Sequence, residues 1–254
     1  NLDIMQESIN YILRCISDNK HPLPVDIYLQ PFFDLNEFRC LGAEILARGN
    51  LQHTVVPPLF FIQTVEENTC EMYRLGYHIL RQFFDYMENS LRYTQQNKIY
   101  SLNISLKQLA CAYFYDDVIS LAQCRNIKPD NLILEITETC QERNCVAAQN
   151  LSHLRQYGFS LAWDDICGCE ELEEKNAFML SNYIKLDRSL LMKANRDEAK
   201  SIIARAHDNG QKVIAEGIET IEHVDFMRQQ QVSIAQGYLF SRPLDKRRFN
   251  EQYL

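Results

Sequence analysis

The feature that most constrains this chain is an alternation of short apolar runs with longer stretches of helical periodicity. The runs are Val25–Leu29, Cys40–Leu46, Ile99–Ile104, Asn131–Ile136, Phe159–Trp163, Asn182–Leu186, Lys212–Ala215 and Val232–Tyr238. Between most of them lie amphipathic stretches: Met72–Asn89, Leu106–Arg125, Val146–Tyr157, Ala199–Asn209 and Glu219–Gln230. Tyr157-Gly158 and Asn209-Gly210 are natural helix stops, each followed at once by a new run. Strand and helix alternating through about eight units predict a single TIM-like α/β barrel, with an open doubly wound sheet as the alternative. The 254 residues suit one such barrel. No G-x-G-x-x-G or G-x-x-x-x-G-K-[ST] pattern points to a nucleotide-cofactor fold.

Ahead of the first run, Ile4, Met5, Ile9, Ile12, Leu13 and Ile16 recur at helical spacing. They divide the chain into a lead-in helix or connector over 1–22 and a barrel over 23–254. A start at Asn1 rather than Met is expected of a segment of a longer protein, with room for an upstream sensor or membrane module. No apolar run reaches the roughly 18 residues of a membrane span, and no secretory leader pattern is present.

The net charge of −8 argues against a nucleic-acid polymer as partner, because such binding needs a basic face. A small phosphate ester is compatible with it, provided bound cations neutralise the site. Nine cysteines without a repeating framework read as free thiols of a reducing, cytoplasmic compartment.

Several runs stop on, or are interrupted near their end by, a polar residue able to bind metal or phosphate. In order these are Gln30, Glu44, Asn103, Glu135, Asp164 with Asp165, Lys185, Glu216 and Gln236. In a barrel the C-terminal strand ends share one mouth, which would gather these carboxylates into a small volume. One lysine does not balance them; divalent metals would. All-oxygen donors suit Mg²⁺ or Mn²⁺, whereas zinc prefers the His and Cys missing from this set. Two ions sharing Asp164 or Asp165 would activate water and stabilise the leaving oxygen of a phosphodiester. Lys185 would orient that water or neutralise phosphoryl charge. Taken singly, each member has a plainer reading. A lone Glu or Asp after a strand is commonly a helix cap, and Asn103 with Ser105 would suit the helix starting near Leu106. Lys185 alone would pass for a surface residue. The series as a whole carries the signal.

As motifs, these positions resemble the EAL family of cyclic di-GMP phosphodiesterases from about Leu29 to Leu244. Gln30-Pro31 followed by Gly42-Ala43-Glu44-Ile45-Leu46-Ala47-Arg48 is similar to the opening motif, with Ile45 in place of the name-giving Ala. Pro58 with Phe61-Ile62, Asn103-Ile104-Ser105, Glu135-Ile136-Thr137-Glu138 and Lys185-Leu186-Asp187 follow in family order. Ala215-Glu216-Gly217-Ile218-Glu219-Thr220 and Gln236-Gly237-Tyr238 with Arg242-Pro243 complete the series. The resemblance implies a TIM-like (β/α)8 barrel of the EAL type and hydrolysis of cyclic di-GMP to linear pGpG. It implies two Mg²⁺ or Mn²⁺ ions, one held by Glu44, Asn103, Glu135 and Asp164, the other by Asp164, Asp165 and Glu216. Lys185 and Gln236 would assist the attacking water. Gln30, Leu46, Arg48, Asp187 and Pro243 would contact substrate, and Glu138 would anchor the loop after the fifth strand. A homodimer is also implied.

One segment departs from the family. Where the family has Phe-Gly-Thr-Gly-Tyr-Ser-Ser after its Asp pair, this chain has Ile166-Cys167-Gly168-Cys169-Glu170-Glu171-Leu172. The spacing from Asp165 to Lys185 is kept, so residues have been substituted rather than deleted. Arg48-Gly49 likewise replaces Arg-Trp. Fewer glycines and more acid beside the metals predict lower activity, lower affinity or changed regulation. Cys167 and Cys169 read either as a redox or metal switch or as two free thiols in a drifted loop. Three functions follow: an active phosphodiesterase, a receptor that binds cyclic di-GMP without cutting it, and a scaffold that binds no nucleotide. Retention of every ligand type favours the enzyme.

Overall fold

In the computed structural model, residues 2–51, 54–91, 97–137 and 145–254 are described. Each apolar run becomes a strand because its alternate residues bury on two different sides. One set, including Leu29, Ile45, Leu102, Leu134, Trp163, Leu186 and Ala215, packs outward against the helices. The other set, Phe32, Ile133, Ala162, Tyr183 and Ile214 with Ile99 and Ile234, forms a separate cluster inside the ring of strands. That inner cluster closes the interior, so the barrel is a packed core and not a pore.

The strands are β1 (Val25–Asp34), β2 (Cys40–Leu51), β3 (Thr54–Val56), β4 (Ile99–Asn103), β5 (Leu132–Ile136), β6 (Ser160–Ile166), β7 (Tyr183–Leu186), β8 (Lys212–Ala215) and β9 (Ile234–Ala235). The longer helices are α1 (Leu2–Ser17), α3 (Thr69–Tyr86), α5 (Phe114–Cys124), α6 (Cys145–Tyr157), α7 (Cys169–Phe178), α8 (Arg196–Asp208), α9 (Ile221–Gln229) and α10 (Lys246–Tyr253). Two short ones, α2 (Ile62–Glu66) and α4 (Leu106–Leu109), lie beside α3. The sheet runs β1-β9-β8-β7-β6-β5-β4-β2 and closes by pairing β1 with β2, leaving β3 as an outrigger on β2. The eight-stranded ring is the α/β barrel expected from the alternation.

Its first strand is not parallel to the rest. β1 runs antiparallel to both β2 and β9. Between β1 and β2 there is only a turn, where Asp34 Oδ1 accepts from the backbone N–H of Asn36 and Glu37. A parallel pair would need a crossover of a dozen residues or more, so a hairpin forces the antiparallel direction. Closure against β4 brings Gly42, at φ +142°, so near Ile99 that an added Cβ would lie 1.7 Å from the Ile99 carbonyl oxygen. Only glycine fits there.

The predicted helix over Leu106–Arg125 is broken in two. Asn150 of α6 donates from Nδ2 to the carbonyls of Leu109 and Cys111, 2.8 Å each, and these bonds cap the break. The lead-in helix buries Ile9, Ile12, Cys15 and Ile16 in one cluster with Val56, Phe61 and Leu75. A 16-residue helix is marginal alone, and burying each isoleucine contributes about 1.5–3 kcal/mol toward holding it. Among the described residues, no helix is long and apolar enough to cross a membrane.

Candidate active site

The polar ring follows from the strand period. Gln30, Ser101, Glu135, Asp164, Lys185, Glu216 and Gln236 each lie two residues from an inner-cluster residue: Phe32, Ile99, Ile133, Ala162, Tyr183, Ile214 and Ile234 respectively. Two residues along a strand is one step on the same face, so these side chains form the next layer of the barrel interior. Glu44 joins them by register, opposite Gln30 on β1 and beside Ser101 on β4. Asn103, beside Glu135, stands one step higher. Gln30 was expected at the end of its strand. Because β1 is the antiparallel hairpin arm and continues through Pro31-Phe32-Phe33, Gln30 lies in mid-strand and still faces the mouth.

Lys185 is fully buried at the centre of this layer. Its Nζ lies 2.9 Å from Glu216 Oε1, 3.0 Å from Glu135 Oε2, 3.3 Å from Glu44 Oε2 and 3.6 Å from Asp164 Oδ1. Burial alone would lower the lysine's pKa, but the surrounding carboxylates hold it well above its usual value. Glu44 accepts from Asn103 Nδ2 at 3.0 Å and from Gln236 Nε2 at 2.7 Å. Burial would raise its pKa, but Lys185 and these two amides outweigh that and hold it low. Glu135 is pushed well above the carboxylate range, by burial first and by the charge of Glu44 next. Glu216 rises to about 8 through burial, with Asp164 and Glu44 opposing Lys185. Asp165 rises to about 6 through burial and the adjacent Asp164.

These shifts describe an acid cluster with too little positive charge. Asp164, Asp165 and Glu216 place oxygens within 4.8 Å of one another, the one such group of three among the described residues. Oε1 of Glu135 and Oε1 of Gln236 are buried without a hydrogen-bond partner among them. A buried polar oxygen left unpaired costs about 1–3 kcal/mol. Five carboxylates, an amide oxygen and unsatisfied acceptors around one ammonium are a donor set suited to hard divalent cations. Glu44, Glu135 and Asp164 meet through Lys185 rather than in a tight triple of their own.

Two hollows adjoin the layer. One, of about 300 Å³, is lined by Gln30, Asp165, Asp187, Glu216, Gln236 and Tyr238. The other, of about 440 Å³, is lined by Leu46, Pro58, Ile62, Asn103 and Thr137 among others. A wider groove of about 1330 Å³ follows α1 and contains none of the ring carboxylates. Gly217, at φ +71°, packs its backbone against Arg188 so closely that a Cβ would meet Arg188 Cβ at 2.4 Å. Asp187 caps the following turn by accepting from Ser189 N–H at 2.8 Å while also lining the smaller hollow. Pro243 precedes Leu244, whose backbone pairs with Leu29 and so lies next to Gln30. Arg48 lies outside the carboxylate layer, donating to the Ala47 carbonyl at 2.7 Å and lying 5.9 Å from the Tyr28 ring. Glu138 lies outside the described residues.

The departing segment is a strand-to-helix turn and not a long loop. Ile166 ends β6, Cys169 begins α7, and only Cys167 and Gly168 lie between. Glu171 Oε2 accepts from Cys167 N–H and Glu198 Oε1 from Cys169 N–H, 3.0 Å each. Both thiols are free, and burial together with neighbouring acids raises their pKa, which disfavours the reactive thiolate. Two residues here had no role assigned from sequence: Thr137, named only within its motif, and Lys175. Thr137 points its hydroxyl at Asp164 Oδ2, 3.4 Å away. Lys175 is buried beneath the Asp pair, and the only hint of it is the i,i+4 spacing from Glu171.

The family model described as EAL domain matches residues 23–243. Over 235 residues the chain is 30% identical to the cyclic di-GMP phosphodiesterase RocR of Pseudomonas aeruginosa, covering 88% of this chain and 58% of that protein. Over 239 residues it is 26% identical to the cyclic di-GMP phosphodiesterase PdeL of Escherichia coli, covering 89% of this chain and 64% of the relative. The chain thus spans less than two thirds of either relative's length. Among solved structures, the EAL enzyme Bd1971 in its cAMP- and cyclic-di-GMP-bound form superposes with a TM-score of 0.84 at 28% identity, covering 100% of this chain and 69% of that one. The PaMucR phosphodiesterase–c-di-GMP complex superposes at 0.81 and 22% identity, over 95% of this chain and 99% of that one, a likeness of fold alone.

Proposed function

The chain belongs to the EAL domain family, and from that membership we propose that it hydrolyses one phosphodiester of cyclic di-GMP to linear pGpG with the help of divalent metal. The observation that carries this reading is the interior layer of carboxylates around Lys185, with Asp164, Asp165 and Glu216 gathered within 4.8 Å. Glu44, Asn103, Glu135 and Asp164 would hold one Mg²⁺ or Mn²⁺, and Asp164, Asp165 and Glu216 a second. Divalent metal bound there would supply Lewis-acid stabilisation of phosphoryl charge and activation of water.

The chain's own groups do the rest. Lys185 keeps its proton at Nζ and neutralises charge growing on the phosphoryl oxygens. Gln236 aims an amide at the same layer, its Nε2 fixed on Glu44 and its Oε1 unpartnered among the described residues, ready to accept from water. The hollows bounded by Gln30, Asp187 and Tyr238 on one side and by Leu46 and Pro58 on the other would receive the two halves of a dinucleotide. Arg48 and Pro243 would complete the substrate contacts, and Glu138 would tether the segment that follows the Asp pair, Ile166–Leu172 at the end of β6. A homodimer, an upstream sensor or membrane module and a place in the cytoplasm would belong to the same reading.

The test is turnover by the purified chain. With Mg²⁺ or Mn²⁺ it is expected to yield pGpG, and Glu44→Ala to abolish the product while the far-ultraviolet spectrum is kept. The extra acids Glu170 and Glu171 after the Asp pair favour a second reading, a receptor that binds without cutting. Measurable nucleotide affinity with no product at any Mn²⁺ concentration would select it and reject the enzyme.

A further inference from the structure

Asp165 is in the left-handed region, at φ +52°, uncommon for a residue other than glycine although aspartate adopts it more readily than most. The pairing of β6 with β7 takes in one extra residue between Trp163 and Ile166, a bulge that leaves Asp164 and Asp165 without ladder partners on β7. The peptide joining Asp164 to Asp165 is instead held at both ends. Its N–H donates to Asp164 Oδ1 at 2.9 Å, and its carbonyl accepts from Lys175 Nζ at 3.2 Å.

Lys175 is 2% exposed and lies on α7, eleven residues beyond Asp164. Its Nζ also donates to the Thr137 carbonyl at 2.6 Å and lies 3.3 Å from Glu171 Oε1. An ammonium has three N–H bonds, and here three oxygens meet them, from the end of β5, from β6 and from α7. Such a group is expensive to bury, which its complete set of partners offsets. Thr137 is thereby held with its hydroxyl toward Asp164.

We propose that Lys175 is a positioning residue: its ammonium fastens the Asp164–Asp165 peptide and Thr137 so that both aspartates face Glu216. It never touches the reacting atoms and acts through the Asp pair. The inference rests on the metal-site reading above, and it explains how a turn short of glycines keeps the pair in place.

The sign of one measurement separates positioning from charge. If Lys175 mattered only as a positive charge, removing it would tighten divalent-cation binding. If it positions the ligands, removal loosens binding. The chain is titrated with Mn²⁺ alone by calorimetry, with near-ultraviolet dichroism of Trp163, the only tryptophan, reporting local packing. Lys175→Met is expected to weaken Mn²⁺ binding at least tenfold with a cooperative melt retained. Glu171→Gln, which keeps both carbonyl bonds, is expected to stay within about threefold of the unsubstituted chain. Should Lys175→Met lose its cooperative melt, Lys175→Gln carries the comparison, with a loss of threefold or more expected. Equal or tighter binding by a folded Lys175 variant, or a tenfold loss in Glu171→Gln, overturns the proposal. Absence of Mn²⁺ binding by the unsubstituted chain would instead reject the metal-site reading itself.

Discussion

Lys185 shows how far a single side chain depends on its neighbours. Four carboxylates lie within 3.6 Å of its Nζ, and none of them is properly solvated. Breaking a buried ion cluster by removing one partner costs about 3–5 kcal/mol, since the charges left behind are uncompensated. Lys185→Met is therefore expected to lose stability of that order in urea unfolding with chelator present. Added Mn²⁺ should recover part of the loss by supplying the missing charge; no recovery would argue against cation binding in this layer. Asp187 combines a cap with a place in the lining of the smaller hollow. As a cap it is worth about 1 kcal/mol, so Asp187→Ala should cost that in stability while any substrate contact shows separately as a raised KM.

At the scale of elements, the barrel is set by which segments join the strands. The hairpin turn after Asp34 makes β1 antiparallel, and the β6–α7 turn brings a lysine under the Asp pair. The packing of α1 rests on few residues. Ile12 is fully buried, and its Cδ1 lies where a Cβ on Gly49 of β2 would be, 2.4 Å away. Ile→Ala at such a site costs about 2–5 kcal/mol. Ile12→Ala should speed amide exchange in α1 by a factor of about 30 or more if the helix opens locally. Unchanged exchange would mean that Ile12 does not hold the helix.

Across the whole molecule, the acid layer couples stability to pH. Glu216 has a folded pKa of about 8 against an ordinary 4.5, so the folded chain binds the extra proton. Its contribution is intact below about pH 4.5 and is lost as pH climbs through about 8. With chelator present, melting temperature should fall between about pH 5 and about pH 9, and Glu216→Gln should flatten that fall. Mn²⁺ bound in this layer would compete with those protons, so its affinity should rise over the same range. A chelated profile as steep in Glu216→Gln as in the parent chain would remove Glu216 as the cause.

Much of this was legible in the sequence, because strand and helix periods are local properties. The polar residues were read at the run ends, which share one mouth in a barrel; the structure adds that Glu135 and Lys185 stand one strand step above Ile133 and Tyr183 of the apolar plug. The eight-unit alternation and the identities of the ring residues needed nothing more. The charged helices were not legible. α7 buries only Leu172 and Lys175, and α10 only Phe249, so neither carries an apolar stripe to read. The direction of β1, the mid-strand place of Gln30 and the break before α5 depended on which chain segments met. So did Lys175, whose three acceptors sit at positions 137, 164 and 171. The sequence alone determined what would line the mouth. Only the tertiary structure decided how the Asp pair is aimed, because that depends on a buried charge of α7 reaching carbonyls at Thr137, just past β5, and at Asp164 of β6.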